Sequence, residues 1–312
     1  MYYPYFRGKQ YELLAVRESA GLMADASFVP VIEPVRRSLD GLGRALDAVS
    51  DAGGQAIVIV NPRHGQLSAN GADITTFLDD NYGDNDAISA GVLLHSGVTA
   101  ERATQLVDAH TAHGPALIHA GFTAPRQLAE SLAEGSSTLT HLFIDDQASS
   151  LYRRHFDGGT RVLLRDGFEQ MKNADYRPVD PFSELHVTFA ESGMDGHGDF
   201  LTVGDRFTEG GGPAYAVAIH LSYIDPDNDD AMYIYHFVSD SNDTPSDAAG
   251  KFEEALAKVV AAFDDDDSKL LETSAAGEFR SLHARRHYPG LGYVKKLSMK
   301  HHIETLADYH SS

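Results

Sequence analysis

Ionisable side chains stand at the end of almost every short apolar run in this chain. Glu33 follows VPVI, Asn61 follows AIVIV with Arg63 and His64 just beyond it, and His95 closes SAGVLLH. His119 closes ALIH, Asp145 and Asp146 follow THLFI, Arg165 and Asp166 end and follow RVLLR, and Asp205 follows DFLTVG. Such a set suits two kinds of chemistry. Glu33, Asp145 and Asp166 are the candidate catalytic carboxylates, able to serve as an acid/base pair. With His95 and His119 as neutral imidazole ligands, they would hold a divalent metal ion that activates water for hydrolysis. Asn61, Arg63, His64, Arg165 and Asp205 are the candidate substrate-binding residues. An Arg beside a His in a Gly/Pro turn suits a phosphate.

Each candidate also has a plainer reading. Strands end where solvent begins, and polar residues follow. Glu33, held extended by Pro34, reads equally well as a structural ion-pair partner of Arg63 or Arg165. Asp145-Asp146 reads as one inward and one solvated group as readily as a metal bridge. His95 and His119 each read as satisfied polar residues. No HExxH or HxH spacing defines a metal site. The H-R-G and E-x-D signatures of phosphodiesterase barrels are absent. The run Glu209-Gly210-Gly211-Gly212-Pro213 leads into a strand and lacks the Lys of a P-loop, so it reads as a tight loop over the barrel mouth. His236, Ser239 and Asp240 have the residue types of a hydrolytic triad without its G-x-S-x-G elbow.

The elements that must position these residues alternate along the chain. Candidate strands are Val29–Glu33, Ala56–Asn61, Ser89–His95, Ala116–His119, Thr140–Asp145, Arg161–Arg165, Asp199–Gly204 and Tyr215–Tyr223. They are nearly continuous apolar runs, as expected of parallel strands covered on both faces. Helical spacing recurs between them, at Asp40–Asp51, Thr99–His110 and Thr123–Ala133. Eight strand units in a chain of this size predict an α/β fold, a TIM-like (β/α)8 barrel closed at one end by an N-terminal segment. The active site of such a barrel lies at the carboxyl ends of its strands, where the residues above stand. His220, within the last strand, reads as barrel-core packing.

Later features are additions to the barrel. Tyr215–Tyr223 and Ala231–Ser239 also read as a β-hairpin across the Asp-rich turn DPDNDD. Asp247–Phe263 is an amphipathic helix, and Asp264–Asp267 reads as a solvated turn. The expected organisation is residues 1–245 as barrel plus hairpin, and residues 246–312 as a helical, locally basic extension.

Composition narrows the function classes. With 25 Lys and Arg against 46 Asp and Glu, the formal charge is -21, which repels a nucleic-acid backbone from the body as a whole. The basic stretch 278–302, with six Lys or Arg and one acid, is the exception. It reads first as docking on the chain's own acidic body, and second as the single place where nucleic acid would bind. The absence of cysteine excludes thiolate nucleophiles and cysteine metal sites. No apolar run is long enough for a membrane span and no signal sequence opens the chain, so a soluble cytoplasmic protein is expected.

Six separated phrases agree in order with one known pattern. They are MYYPYFRGKQYELLAVRE at 1–18, PVIEPV at 30–35, VNPRHG at 60–65, DFLTVGDRFTEGGGPAYAVAIHLSYID at 199–225, MYIYHFVSDSND at 232–243 and HYPGLGYVKKLSMKHHIETL at 287–306. The chain resembles, end to end, the phage beta-protein-like family and more closely a bacterial sister family. The resemblance implies a barrel-like strand pattern and a role in defence against phage or foreign DNA. It also implies a protein partner, a PD-(D/E)XK nuclease-like neighbour. It carries over no catalytic residues. Two functions are therefore expected in competition: a defence-associated protein acting with a partner, and a metal-dependent hydrolase or phosphodiesterase with its site at the barrel mouth.

Overall fold

The computed structural model describes residues 1–132, 138–210, 212 and 214–311. They form two compact units. The first comprises Met1–Arg165 and Thr188–Asp199, and the second Asp166–Val187 and Phe200–Ser312. The hairpin therefore groups with the C-terminal helices, in place of the division expected at residue 245.

The first unit is an eight-stranded parallel barrel. Its strands are β1 (Tyr5–Phe6), β2 (Val31–Ile32), β3 (Ala56–Ile59), β4 (Ile88–His95), β5 (Ala116–Ala120), β6 (Thr140–Ile144) and β7 (Thr160–Leu164), then β9 (Gly196–Gly198). The order in the sheet is the order in the chain, as successive strand–helix–strand units give. The helices are α1 (Gln10–Glu18), α2 (Ala20–Asp25), α3 (Asp40–Asp51), α4 (Ala72–Tyr82), α5 (Ala100–Ala109), α6 (Pro125–Ser131) and the single turn α7 (Ser150–Arg153). Helix α3 has the bounds its spacing predicts and buries Leu42, Leu46 and Val49. Helix α5 starts where expected because Thr99 caps it, its side chain accepting from the Arg102 amide at 3.2 Å. The predicted end of α6 at Ala133 lies outside the described residues.

Closure comes from the N-terminus. Tyr2 bridges His197 in parallel, the Tyr3 amide donates to the His197 carbonyl at 2.8 Å, and the Tyr5 amide donates to the Asp199 carbonyl at 2.9 Å. The segment expected merely to cover one end is thus the first barrel strand. Tyr2, Tyr3, Tyr5 and Phe6 are all buried. The last barrel strand is also displaced from its expected place. Gly196–Gly198 forms it, while Leu201–Val203, inside the predicted strand Asp199–Gly204, is a 3-10 turn of the second unit. A Cβ on Gly198 would lie 2.2 Å from the Tyr3 carbonyl oxygen, so the seam demands glycine where an apolar side chain was sought.

The second unit is built on a three-stranded antiparallel sheet, in the order β10 (Ala218–Asp225), β11 (Ala231–Val238), β8 (Val179–Ser183). The predicted hairpin is β10–β11, so Tyr215–Tyr223 supplies no barrel strand. Strand β8 carries Pro181 and lies at a sheet edge, where a missing N–H costs no ladder bond. The one-turn α8 (Leu185–Thr188) follows it. Helices α9 (Ala248–Phe263), α10 (Ser274–Arg285) and α11 (Leu291–Ser311) pack on the sheet through Phe252, Leu256, Val259, Phe279 and Leu297. Asp264–Asp267 is exposed beyond α9, as its charge predicts. Among the described residues no helix is long and apolar enough to cross a membrane.

The seam yields a stability test. Gly198→Ala overpacks the junction of β9 with β1 and is expected to destabilise by about 1–3 kcal/mol or more in chemical denaturation. Gly277→Ala, exposed in α10 with open space around its Cβ, is expected to stabilise by about 0.5–1 kcal/mol.

Candidate functional site

Parallel in-register strands place equivalent residues side by side. Tyr5 pairs with Val31 and Phe6 with Ile32, so Arg7 emerges from β1 beside Glu33 from β2. The two form a buried ion pair, Glu33 fully buried and Arg7 only 8% exposed. The same carboxylate accepts the Tyr5 hydroxyl at 3.1 Å, the Arg63 amide at 2.7 Å and the His64 amide at 3.0 Å. Its two oxygens thus join the ends of β1 and β2 to the loop after β3. The ion-pair reading of Glu33 was sound in kind, and its partner is Arg7 rather than Arg63 or Arg165. Arg7 was missed although it follows the apolar Tyr5-Phe6 just as Glu33 follows Val31-Ile32.

Asn61 serves the backbone. Its side chain donates to the Leu93 carbonyl at 2.9 Å and accepts from the Leu93 amide at 2.8 Å, extending the β3–β4 ladder by one step. His95, at the end of β4, accepts the Gly97 amide on Nδ1 at 3.0 Å, which leaves the imidazole neutral with its proton on Nε2. Burial, reinforced by the Arg63 charge and opposed by Glu33, holds its pKa below the ordinary value. Glu33, Arg63 and His95 therefore share one region of the barrel mouth.

The other candidates lie apart from this group. Asp145 is paired on both oxygens, with Arg153 at 3.0 Å and Arg165 at 2.9 Å. His119 turns toward the helix layer. Its Nδ1 meets the Tyr152 hydroxyl on α7 at 2.7 Å, and its Nε2 meets His141 Nδ1 at 3.0 Å. Phe143 stacks on His119, and Phe156 packs at a tilt against His141. Asp166 and Asp205 belong to the second unit. There Asp166 accepts the Phe168 amide at 3.0 Å and the Asp205 amide at 2.7 Å, closing a loop.

These residues do not fit a metal centre. Among the described residues no group of three or more His, Asp or Glu is arranged to hold a metal ion. His119 has both ring nitrogens engaged away from the mouth, and Asp145 already neutralises two guanidinium groups. The triad types also part company. The Ser239 hydroxyl donates to the Ser241 carbonyl, Asp240 pairs with Lys258, and His236 contacts His220 and Asp180. His220 packs in the second unit against Phe168 and Tyr176, not in a barrel core. Gly211 and Pro213 of the glycine run lie outside the described residues. Part of the basic stretch serves its own unit. Arg280 pairs with Asp264 and Glu272, Arg286 with Glu253, and the Lys296 ammonium sits 3.9 Å from the centre of the Tyr293 ring.

No protein-family model matches the chain. No curated protein matches it significantly either. The resemblance therefore stays an expectation, and the geometry carries the functional argument.

Two outcomes are expected of these buried groups. Glu33→Gln leaves Arg7 buried without its counter-charge and should destabilise the fold by about 3–5 kcal/mol in denaturant titration. Adding Arg7→Met should recover part of that loss. The second concerns acid. Burial pushes the His141 pKa down to about 4 and holds that of His119 well below its usual value. The unfolded chain then binds these protons first, so their contribution to stability is complete above about pH 6.5 and declines as pH falls, down to about 4 for His141. The slope is about 1.4 kcal/mol per pH unit for each histidine. His141→Gln should flatten the decline of Tm between neutral pH and pH 4.5.

Proposed function

We propose that the chain is a defence-associated cytoplasmic protein that acts with a nuclease-like partner, contributing binding rather than metal-dependent chemistry. The observation supporting this reading is the commitment of the mouth's ionisable groups. Glu33 engages Arg7, Tyr5 and two amides, and Asp145 engages Arg153 and Arg165. A catalytic carboxylate needs a lone pair or proton aimed at substrate, within hydrogen-bond reach. Here the carboxylates hold loops in place. The alternative, a metal-dependent hydrolase or phosphodiesterase, has less support because its proposed ligands His95 and His119 belong to different environments. The partner and the defence setting rest on the family resemblance of the six sequence phrases.

The test is co-expression with the nuclease-like neighbour. Co-elution of the two proteins, and phage restriction that requires both genes, are the expected results. Separate elution, or restriction unchanged when this gene is deleted, would remove the partner reading. A divalent-metal thermal shift that disappears in Asp145→Ala would instead revive the hydrolase.

A further inference from the structure

The barrel's first three strand-to-helix loops, with α1 and α3, enclose a cleft of about 420 Å³. Loops that follow the carboxyl ends of barrel strands form the face where ligands bind in this architecture. The volume is that of a small-molecule site. Its lining carries three arginines, Arg17 from α1, Arg36 from the loop after β2 and Arg44 from α3, and not one carboxylate. In a chain with 46 acidic residues that is a local inversion of charge.

None of the three guanidinium groups has a hydrogen-bond or ion-pair partner among the described residues. The carboxylates near them in sequence have other partners. Asp40 and Asp47 stand four residues before and three after Arg44, the usual helical pairing distances. Asp40 instead accepts the Ser38 hydroxyl at 3.1 Å, and Asp47 accepts the Tyr82 hydroxyl at 2.7 Å. Glu12, on the helix that carries Arg17, accepts the Arg7 amide. Three like charges facing one cleft repel one another, and an anion relieves that repulsion.

The cleft is also built rather than incidental. Its loops are fixed before any ligand arrives. The Gln66 amide donates to the Val35 carbonyl at 2.9 Å, and the Gln66 side-chain oxygen accepts the Arg37 amide at 3.0 Å, so the arginine loop is pinned on both sides of Arg36. Gly8 has φ +60°, and a Cβ there would lie 2.8 Å from the Glu33 carbonyl oxygen. Gly65 has φ +74°, and its Cβ would lie 2.2 Å from the Val35 carbonyl oxygen. The β2 loop thus runs between two glycines that permit close backbone approach. Leu13 and Leu14 supply an apolar part to the lining.

We propose that this cleft binds a small phosphorylated molecule of nucleotide size, its phosphates on Arg17, Arg36 and Arg44 and its less polar part on Leu13 and Leu14. Guanidinium forks match phosphate oxygens in bidentate geometry, which favours phosphate over a lone carboxylate. The proposal stands independently of the partner reading, since it concerns only the barrel unit's own residues.

The test is calorimetric titration of the full chain with the four ribonucleoside triphosphates and with inorganic tripolyphosphate. At least one nucleotide should bind more tightly than tripolyphosphate. The double variant Arg36→Ala/Arg44→Ala, altered only at exposed positions, should lose about tenfold or more in affinity. Arg126→Ala, whose guanidinium pairs with Glu130 outside the cleft, should bind as the parent does. Binding undiminished in the double variant, or no nucleotide binding at about 1 mM, overturns the site. Tripolyphosphate binding as tightly as every nucleotide overturns the role of the leucine wall.

Discussion

The loop geometry at the barrel mouth depends on one buried charge pair, Arg7 with Glu33. Taking two ions out of water costs several kcal/mol each, and attraction alone rarely repays it. Here three further donors, the Tyr5 hydroxyl and the amides of Arg63 and His64, complete the solvation of the carboxylate. The pair's value lies in position more than in net stability. A single side chain fixes where three consecutive strands end and where their loops begin. Pro34, Val35 and the arginine loop then follow a path that the glycines on either side permit.

Charge in this molecule works at two ranges. The overall excess of acid acts over about a Debye length, roughly 8–10 Å at ordinary ionic strength, and discourages long polyanions from settling on the surface. A small anion has no such length to be repelled along. It meets only the local field of the cleft, where three arginines dominate. The basic C-terminal stretch behaves in the opposite way. Two of its six cations, Arg280 and Arg286, are paired with carboxylates of its own unit, so a conspicuous run in the sequence produces less free charge than it suggests.

How much could be read in advance depended on the length of each signal. Six apolar runs long enough to stand out, from Val29–Glu33 to Arg161–Arg165, are barrel strands. The two that close the ring escaped detection for physical reasons. Strand β1 is two residues long and follows a proline, while β9 is Gly-His-Gly, shaped by backbone approach rather than side-chain burial. Glu33 stood out because its strand end is unmistakable, but its partner lay in the strand that was missed. Arg17, Arg36 and Arg44 share no spacing in the sequence. They meet only because α1 and α3 are neighbours, and periodicity along one helix carries no information about the helix beside it. His119 misled because alternation along β5 decides which face it serves, and a residue at a strand end was assumed to face the mouth.

The two compact units are interleaved in the chain. Residues 166–187 leave the barrel after its seventh strand, contribute an edge strand to the other sheet, and only then does the chain return to supply the eighth. The barrel's first strand, in turn, finds its second neighbour nearly two hundred residues away. A chain made from its N-terminus must therefore keep Tyr2–Phe6 unpaired on one edge through most of synthesis, and closing so long a loop is slow. The edge strand β8 likewise waits for β11. No single cut separates the two units from each other, so assembly of the two is a matter of shared timing as well as of separate cores.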